Sequence, residues 1–270
     1  MKRIEQFGEI SSLIGPYMKK GILSNNFIVR EGYEAYISSG NLYSQCSDTA
    51  LILLLDCGTH WRIFYHIKGP EADIHALPAD KPLVMELVYK NENEAVESQL
   101  DFWSSRGFRP YIYRLRMNGI TERLLLESES KNMHAVKNAV CQQAEQIRGL
   151  IAEMFDPYLG CIPTLDEVAE YIKKEEMLVS EDQDGSILGV LHIGSRNSAH
   201  FVRHLLVHPD ARGKGIAKGL LAHFARSVSG QGDGRIQLWV KKDNINARGL
   251  YEWAGFKYDG WQSTGLIRNS

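Results

Sequence analysis

Residues 205 to 225 read LLVHPDARGKGIAKGLLAHFA, and this stretch joins an apolar run to a run with helical spacing. The apolar run stops at Pro209, and two cations and two glycines follow at residues 212–215. Apolar residues then recur every three or four positions, which predicts an amphipathic helix. Gly230 stands where the C-terminal cap of that helix would lie. The apolar face of this predicted helix consists of Ile216, Leu220, Leu221, Phe224 and Val228.

A loop that leaves a strand and enters a helix exposes free backbone N–H groups, and the helix dipole reinforces them. Such a loop is an anion-binding site, and glycines let the backbone approach the anion closely. Arg212 and Lys214 add positive charge, so the stretch predicts a site for a phosphate or pyrophosphate. The patterns GxxxxGK[ST] and GxGxxG followed by an acidic residue are absent, which argues against ATP and dinucleotide sites.

The composition of the 270 residues, 44% hydrophobic and 24% charged, is typical of a globular protein with one large domain or two small ones. The formal net charge of −2 argues against a dedicated nucleic-acid-binding protein. The N-terminus has no apolar core of the kind that signal peptides have. The longest apolar run, residues 50–55, is too short to span a bilayer, so no membrane partner is expected. Four scattered cysteines without a CxxC pair indicate reduced thiols and a cytoplasmic location.

The second half of the chain predicts a regular order of elements from about residue 138. Two amphipathic helices come first, over residues 143–155 and 164–174, and Thr164 with Glu167 forms a capping box at the second. Three strands follow, the last two a hairpin joined at residues 195–199. After the glycine-rich loop and its helix come a strand at residues 236–241 and a short helix that ends at Gly255.

The first half contains a weaker copy of this pattern. An aromatic residue precedes a Gly-Phe pair by four positions in both halves, Trp103 in one and Tyr251 in the other, and the two pairs lie 148 residues apart. The hairpins lie about 136 residues apart, so the second copy has roughly 12 extra residues, and these coincide with the glycine-rich loop. We therefore expect a duplication: a degenerate domain without the loop over residues 1–118, a linker over 119–137, and a complete domain over 138–270.

Two motifs of the second half resemble the Gcn5-related N-acetyltransferase (GNAT) superfamily. Arg212, Gly215 and Ala217 fill that superfamily's pattern Arg-x-x-Gly-x-Ala, and residues 205–211 resemble its fourth strand. Residues 244–256 resemble its later pattern Asn-x-x-Ala-x-x-Leu-Tyr-x-x-x-Gly-Phe, at a suitable distance. The resemblance covers residues 138 to 260. It implies an α/β fold with a mixed, mostly antiparallel sheet flanked by helices, here as two related domains in tandem.

The resemblance also implies a reaction, direct attack of a primary amine on the thioester of acetyl-CoA with no covalent enzyme intermediate. Tyr251 would protonate the departing thiolate. Its phenol, with a pKa near 10 against about 8.5 for a thiol, is protonated at neutral pH and so has a proton to give. The N–H of Val207 would polarise the thioester oxygen. The residues that the resemblance assigns to acetyl-CoA are Leu205, Leu206, Val207, Arg212, Gly213, Lys214, Gly215, Ile216, Ala217, Lys218, Asn244, Ala247 and Tyr251.

The base that takes the proton of the amine is not identified by the resemblance. Phe201 and Arg203 stand where many relatives have a glutamate or histidine. His204 is expected on the opposite face because side chains alternate along a strand. His200, His204 and His208 do not predict a metal site, because on a strand neighbours in that series lie about 13 Å apart.

Several alternatives stay open at this point. The chain could bind acetyl-CoA or CoA as a sensor or structural module without transferring it, or it could transfer a longer acyl group. The acceptor could be an amino acid, a polyamine, an antibiotic, or a protein N-terminus or lysine, with a small-molecule amine favoured. Residues 154–164 would form a wall of the acceptor pocket, and Arg203 could pair with a substrate carboxylate or be a surface residue. The oligomeric state is also open, a homodimer included.

Overall fold

A computed structural model describes residues 1–120, 135–196, 199–228 and 234–270 of the chain. The described residues divide into two compact units. Unit 1 comprises Met1–Tyr113 with Trp261–Ser270, and unit 2 comprises Arg114–Gly260. Most of the predicted linker, the middle of the predicted turn at residues 195–199 and the predicted cap at Gly230 lie outside the described residues.

The helices and strands are numbered in chain order. Those that begin in unit 1 are β1 (Lys2–Arg3), α1 (Phe7–Ile14), β2 (Leu23–Ser24), α2 (Arg30–Ser38), β3 (Leu42–Cys46), β4 (Ala50–Asp56), β5 (Trp61–Ile67), β6 (Leu83–Lys90), α3 (Glu94–Ser104) and β7 (Arg109–Ile120). Those that begin in unit 2 are β8 (Val136–Asn138), α4 (Ala144–Met154), α5 (Leu165–Lys173), β9 (Met177–Glu181), β10 (Ile187–Arg196), β11 (Ala199–Val207), α6 (Ile216–Val228), β12 (Arg235–Lys241), α7 (Ile245–Trp253) and β13 (Lys257–Arg268).

Each unit contains a sheet with the same strand pattern. In unit 1 the order is β1, β3, β4, β5, β6, β13, and β5 and β6 are the parallel pair. In unit 2 the order is β8, β9, β10, β11, β12, β7, and β11 and β12 are the parallel pair. The remaining neighbours are antiparallel. The predicted fold class, a mixed and mostly antiparallel sheet flanked by helices, is confirmed.

The compact units differ from the predicted domain ranges at the closing strands. Residues 261–268 of β13 pair with β6 inside unit 1, although they fall in the predicted second domain. Residues 114–120 of β7 pair with β12 inside unit 2, although they continue the first copy of the repeat. The ends of the predicted linker are strands, since Gly119 and Ile120 belong to β7, and Val136 and Lys137 to β8. A sequence pattern predicts that a segment forms a strand, but it does not predict which sheet the strand joins.

Local signals in the sequence explain the helix ends of unit 2. The Oγ1 of Thr164 accepts a hydrogen bond from the N–H of Glu167 at 3.2 Å, and the Glu167 carboxylate accepts one from the N–H of Thr164 at 2.8 Å. This is the predicted capping box at the start of α5. At the end of α7, Gly255 has a φ of +87° and the Phe256 N–H bonds to the Tyr251 carbonyl at 2.9 Å. The same arrangement ends α3, which supports the internal repeat.

The core of unit 2 lies on both faces of its sheet. One cluster joins α6 and α7 to residues such as Leu191, Val202 and Leu238, and the other joins α4 and α5 to Val190 and Leu206. Along β10 the two faces alternate, as expected for a strand buried on both sides. No helix among the described residues is long and apolar enough to cross a membrane.

Candidate functional site

The parallel strands β11 and β12 separate early in their length. They pair only from His200 to Val202, opposite Ile236 to Leu238. Beyond Val202, β12 continues along β7, while β11 continues along β10. The side of β11 that faced β12 is therefore an uncovered strand edge over its last residues.

The backbone direction along this edge follows from one hydrogen bond. The N–H of His208 donates to the carbonyl of Leu188, on the β10 side, at 2.8 Å. Because successive residues of a strand point their backbone groups to opposite sides, the N–H groups of Val207 and Leu205 point to the open side. Leu206 points its groups toward β10, where it pairs with Val190. Two of the three strand residues that the resemblance assigns to acetyl-CoA thus point backbone groups to the open side.

The glycine-rich loop follows directly after this edge. Gly213 and Gly215 have φ values of +76° and +82°, and the space where each Cβ would lie is empty to 4 Å. Such backbone strongly favours glycine. The N–H groups of residues 213–218 have no hydrogen-bond acceptor within the described chain. Helix α6 begins at Ile216 with no acidic residue in its first turn, so its dipole adds to a positive site.

The three cations around the loop take different positions. The Nε of Arg212 donates to the carbonyl of Val207 at 3.4 Å, which turns this side chain back along the open edge. The ammonium of Lys218 lies 3.7 Å from the centre of the Trp253 ring, a cation–π contact. Lys214 is exposed. The loop therefore combines free N–H groups with positive side chains, as predicted for an anion site.

The remaining predicted residues lie on α7. Asn244 caps this helix, since its Oδ1 accepts a hydrogen bond from the N–H of Ala247 at 3.1 Å. Ala247 and Tyr251 pack in the same apolar cluster as the side chains of Leu205 and Val207. The structure thus brings the two sequence motifs together at the open edge.

Tyr251 is buried, and its ring centre lies 5.7 Å from that of Phe256. Its hydroxyl has no hydrogen-bond partner within the described chain. Burial raises the pKa of Tyr251 above its ordinary value, so the phenol is protonated at neutral pH. The arrangement gives a proton donor in an apolar setting beside the open edge.

The expected face of His204 is wrong, because β11 contains a bulge. The register with β10 shifts between His192, opposite His204, and Ile193, opposite Val202, so Arg203 is an extra residue. The extra residue reverses the alternation, and His204 lies on the α4 and α5 side of the sheet. Its Nε2 bonds to the carbonyl of Gly160 at 2.8 Å, and its Nδ1 lies 3.0 Å from the Nδ1 of His192. No single-strand pattern marks a bulge, which is why this pair was missed.

The segment between α4 and α5 covers His204. Asp156 organises it, since its carboxylate accepts hydrogen bonds from the N–H groups of Tyr158 and Leu159 at 3.0 and 2.7 Å. A Cβ on Gly160 would lie 2.3 Å from the carbonyl of Asp156, so only glycine fits there. The ring of Phe155 meets that of His204 edge-on, with centres 4.7 Å apart. The predicted pocket wall is thus a tight turn held against β11.

Comparisons with known proteins agree with this geometry. Residues 142–264 match the protein family described as an acetyltransferase (GNAT) domain. An acetyltransferase from Pectobacterium atrosepticum is 31% identical over 93 residues, which cover 33% of this chain and 64% of that protein. The matched part of the chain thus spans less than two thirds of that relative's length.

Solved structures share the fold over nearly the whole chain. A GNAT-family acetyltransferase from Colwellia psychrerythraea has a TM-score of 0.55 at 13% identity and covers 100% of this chain and 99% of its own. A tandem GNAT protein from the clavulanic acid biosynthesis pathway has a TM-score of 0.58 at 10% identity and covers 96% and 93%. At such identities the similarity establishes the fold alone.

Proposed function

We propose that this chain is a member of the Gcn5-related N-acetyltransferase superfamily and uses unit 2 to transfer the acetyl group of acetyl-CoA to a primary amine. The observation that carries the proposal is the continuity of the open β11 edge with the glycine-rich loop. An extended chain of amides that ends in a pyrophosphate fits this pair of features. The edge pairs with amides as an added strand would, and the loop binds the anion.

The residues present fit acetyl-CoA in three respects. Along the open edge, the backbone groups of Leu205 are free to bind the pantetheine arm and the N–H of Val207 is free to face the thioester. In the loop, the N–H groups of residues 213–218 are free to bind the pyrophosphate. The empty space above Gly213 and Gly215 admits the phosphates. Acetyl-CoA itself supplies the acetyl group, activated as a thioester.

The chain's own residues would then act on the transfer. The amine arrives without one of its protons, its nitrogen bonds to the thioester carbon, and the carbon–sulfur bond breaks. The N–H of Val207 stabilises the oxygen that becomes negative in the tetrahedral state. Tyr251 gives its proton to the departing sulfur, and the second proton of the amine restores the phenol.

A non-catalytic acetyl-CoA or CoA sensor is the second candidate function. It is favoured by one observation, that neither Phe201 nor Arg203 can serve as a base where relatives have one. The two candidates differ in whether acetyl-CoA is consumed, and they share the same binding site.

The first experiment is calorimetric titration of the protein with acetyl-CoA, using Gly215→Glu and the matched control Gly185→Glu. Both glycines are exposed with nearly equal φ values, +82° and +83°, but Gly185 lies in the turn before β10. We expect one site per chain and a loss of affinity of at least about 100-fold in Gly215→Glu only, since like charges in contact cost several kcal/mol. Equal affinity in both variants would refute the loop as the pyrophosphate site.

The second experiment follows thiol release from acetyl-CoA in the presence of amines. Release that depends on an amine and on an intact loop supports the transferase. Tight binding of acetyl-CoA with no release across acceptors of every class named above would favour the sensor.

A further inference from the structure

The bulge residue of β11 is an arginine that forms no ion pair with the described residues. Arg203 is exposed, and no carboxylate of the described residues lies within ion-pair distance of it. Its guanidinium carbon lies 5.7 Å from the centre of the Tyr171 ring of α5. A Cβ on Gly194 would lie 2.5 Å from the Nε of Arg203, so the side chain rests on the bare backbone of β10. The guanidinium is therefore fixed from two sides.

The polar groups beneath Arg203 are neutral. A carbonyl can only accept, so the Nε2 of His204 carries a proton and donates it to Gly160. The Nδ1 of His204 then accepts from the Nδ1–H of His192. The Nε2 of His192 is left with a lone pair and is buried without a partner. Burial, with the nearby Arg203, lowers the pKa of both imidazoles, that of His192 to about 3.

The acidic residues around Tyr171 form no ion pair with the arginine. The Glu167 carboxylate bonds to the N–H of Thr164 in the capping box, and Glu170 pairs with Lys173 at 2.6 Å. Glu176 acts on Tyr171 electrostatically but forms no ion pair with Arg203. The group formed by Arg203, Tyr171, His192 and His204, here called the bulge cluster, thus carries one positive charge that forms no ion pair with a described residue.

The position of the bulge cluster relates it to the reaction. Arg203 follows Val202, the last residue of β11 that pairs with β12, so it stands where the two strands separate. Leu205, the first residue with free backbone groups on the open edge, lies two positions further along β11. The arginine and the edge that would hold the thioester are therefore close together in the chain. His204 lies between Arg203 and Leu205 and contacts the predicted wall of the acceptor pocket.

We infer that the acceptor is an amine that carries a carboxylate, and that Arg203 binds this carboxylate. The inference rests on the proposed function of unit 2 and names the substrate class of that site. A planar guanidinium can hold a carboxylate through two parallel hydrogen bonds, and its support by Gly194 and Tyr171 lowers the entropy lost on binding. Amino acids and other amines that carry a carboxylate fit this class, and polyamines do not.

The test compares amines that differ only by the carboxylate: glycine with methylamine, β-alanine with ethylamine, and lysine with cadaverine. Each is offered with acetyl-CoA to the full chain, and thiol release is followed. We expect at least one carboxylated amine to be used about 10- to 100-fold more efficiently than its partner, the range for hydrogen bonds to a charged group. In Arg203→Gln the preference should fall to within about threefold through a higher KM, and Arg203→Lys should lie between. Arg148→Gln, an exposed arginine of α4, is the matched control.

The outcomes separate the two proposals. If acetyl-CoA binds and every amine without the carboxylate is used as well as its partner, the acceptor class is refuted and the cofactor site stands. Binding without use of any carboxylated amine refutes it as well. If the preference for carboxylated amines survives in Arg203→Gln, another residue binds the carboxylate, and the assignment of Arg203 is overturned. Failure of acetyl-CoA to bind would overturn the proposed function, and the acceptor class with it.

Discussion

The parallel strand pairs of the two units begin alike and are completed differently. In unit 1, β5 pairs with β6 only at Trp61 and Arg62, so these strands separate as early as β11 and β12 do. The edge of β5 that is exposed in this way is covered by the chain itself. Residues 23 and 24 of β2 pair with Ile67 and His66. Asn25 completes the cover, with its Nδ2 3.0 Å from the carbonyl of Ile63 and its Oδ1 2.8 Å from the amide nitrogen of Tyr65.

This difference shows what a separated pair of parallel strands requires. The free backbone groups of the edge need partners, and in unit 1 the side-chain amide of Asn25 supplies one donor and one acceptor. In unit 2 the corresponding edge stays open and leads into the glycine-rich loop. Unit 1 has no such loop, because the chain from residue 68 to residue 82 contains a single glycine, Gly69, and no helix. The prediction that only the second copy binds acetyl-CoA is therefore supported by a second feature, the covered edge.

The largest effect is expected where the covering of unit 1 is removed. Asn25→Leu would leave the Tyr65 N–H and the Ile63 carbonyl buried without partners, at about 1–3 kcal/mol each. We expect faster hydrogen exchange of the β5 amides in the full chain, with the acetyl-CoA affinity of unit 2 unchanged. Asn138→Leu, an exposed asparagine of β8, is the control. Unchanged protection of β5 would mean that Asn25 does not complete the edge.

The next effect concerns the aromatic residue that both copies place before the Gly-Phe pair. Tyr251→Phe should lower turnover about 100-fold and leave the affinity for acetyl-CoA within about threefold, because it removes a proton donor and keeps the ring. Tyr65→Phe, the control, changes a buried tyrosine of unit 1 and should leave turnover unchanged. Steady-state kinetics with any accepted amine decides this, and equal turnover in Tyr251→Phe and wild type would exclude the phenol as the acid.

A smaller effect concerns the pH dependence of the stability of unit 2. The pKa of His192 is lowered to about 3 by burial, so the unfolded chain binds more protons than the folded chain below pH 6.5. The contribution of His192 to the stability of unit 2 is thus fully present above pH 6.5, its pKa in the unfolded chain, and it falls as the pH drops below that value. At pH 5 the loss from this residue is about 2 kcal/mol, seen as faster exchange in β10 and β11 after correction for intrinsic rates. His192→Gln should reduce that dependence in unit 2 and leave that of unit 1 unchanged, because His204 and, in unit 1, His66 keep their lowered pKa values. An unaltered pH profile in unit 2 would argue against a neutral buried pair.

The smallest effect tests what the two units share. Gly107 and Gly255 end α3 and α7 with φ values of +82° and +87°. Replacing either with alanine should cost about 1–2 kcal/mol, the penalty for a side chain in the left-handed region. Hydrogen-exchange rates of the α3 and α7 amides would measure the loss of stability in each variant. A large loss in only one unit would mean that the two helix ends are not equivalent.

Much of this architecture can be predicted from the sequence, because local patterns specify it. The capping box at Thr164, the helix ends at Gly107 and Gly255, and the order of elements from α4 to α7 each depend on residues close together in the chain. The loop over residues 212–215 is of the same kind, since positive φ values and free N–H groups follow from its glycines and the helix start. The N-terminal helices α1 and α2 were not predicted.

What could not be predicted depends on contacts between distant residues. The extra residue at Arg203 is defined only against β10, and it brings His204 to the same face as the pocket wall. The cover of β5 by Asn25 joins residues about 40 positions apart. The positions of the closing strands β7 and β13 likewise depend on which sheet edge they pair with.

The sequence by itself determined the reaction class expected of this chain, because the anion-binding loop and the Asn-to-Phe motif are short and keep their chemistry wherever they fold. Only the tertiary structure decided which strand edge stays open and which histidine faces the pocket wall. Register and strand pairing fix those features, and both depend on hydrogen bonds between segments that the sequence does not place side by side.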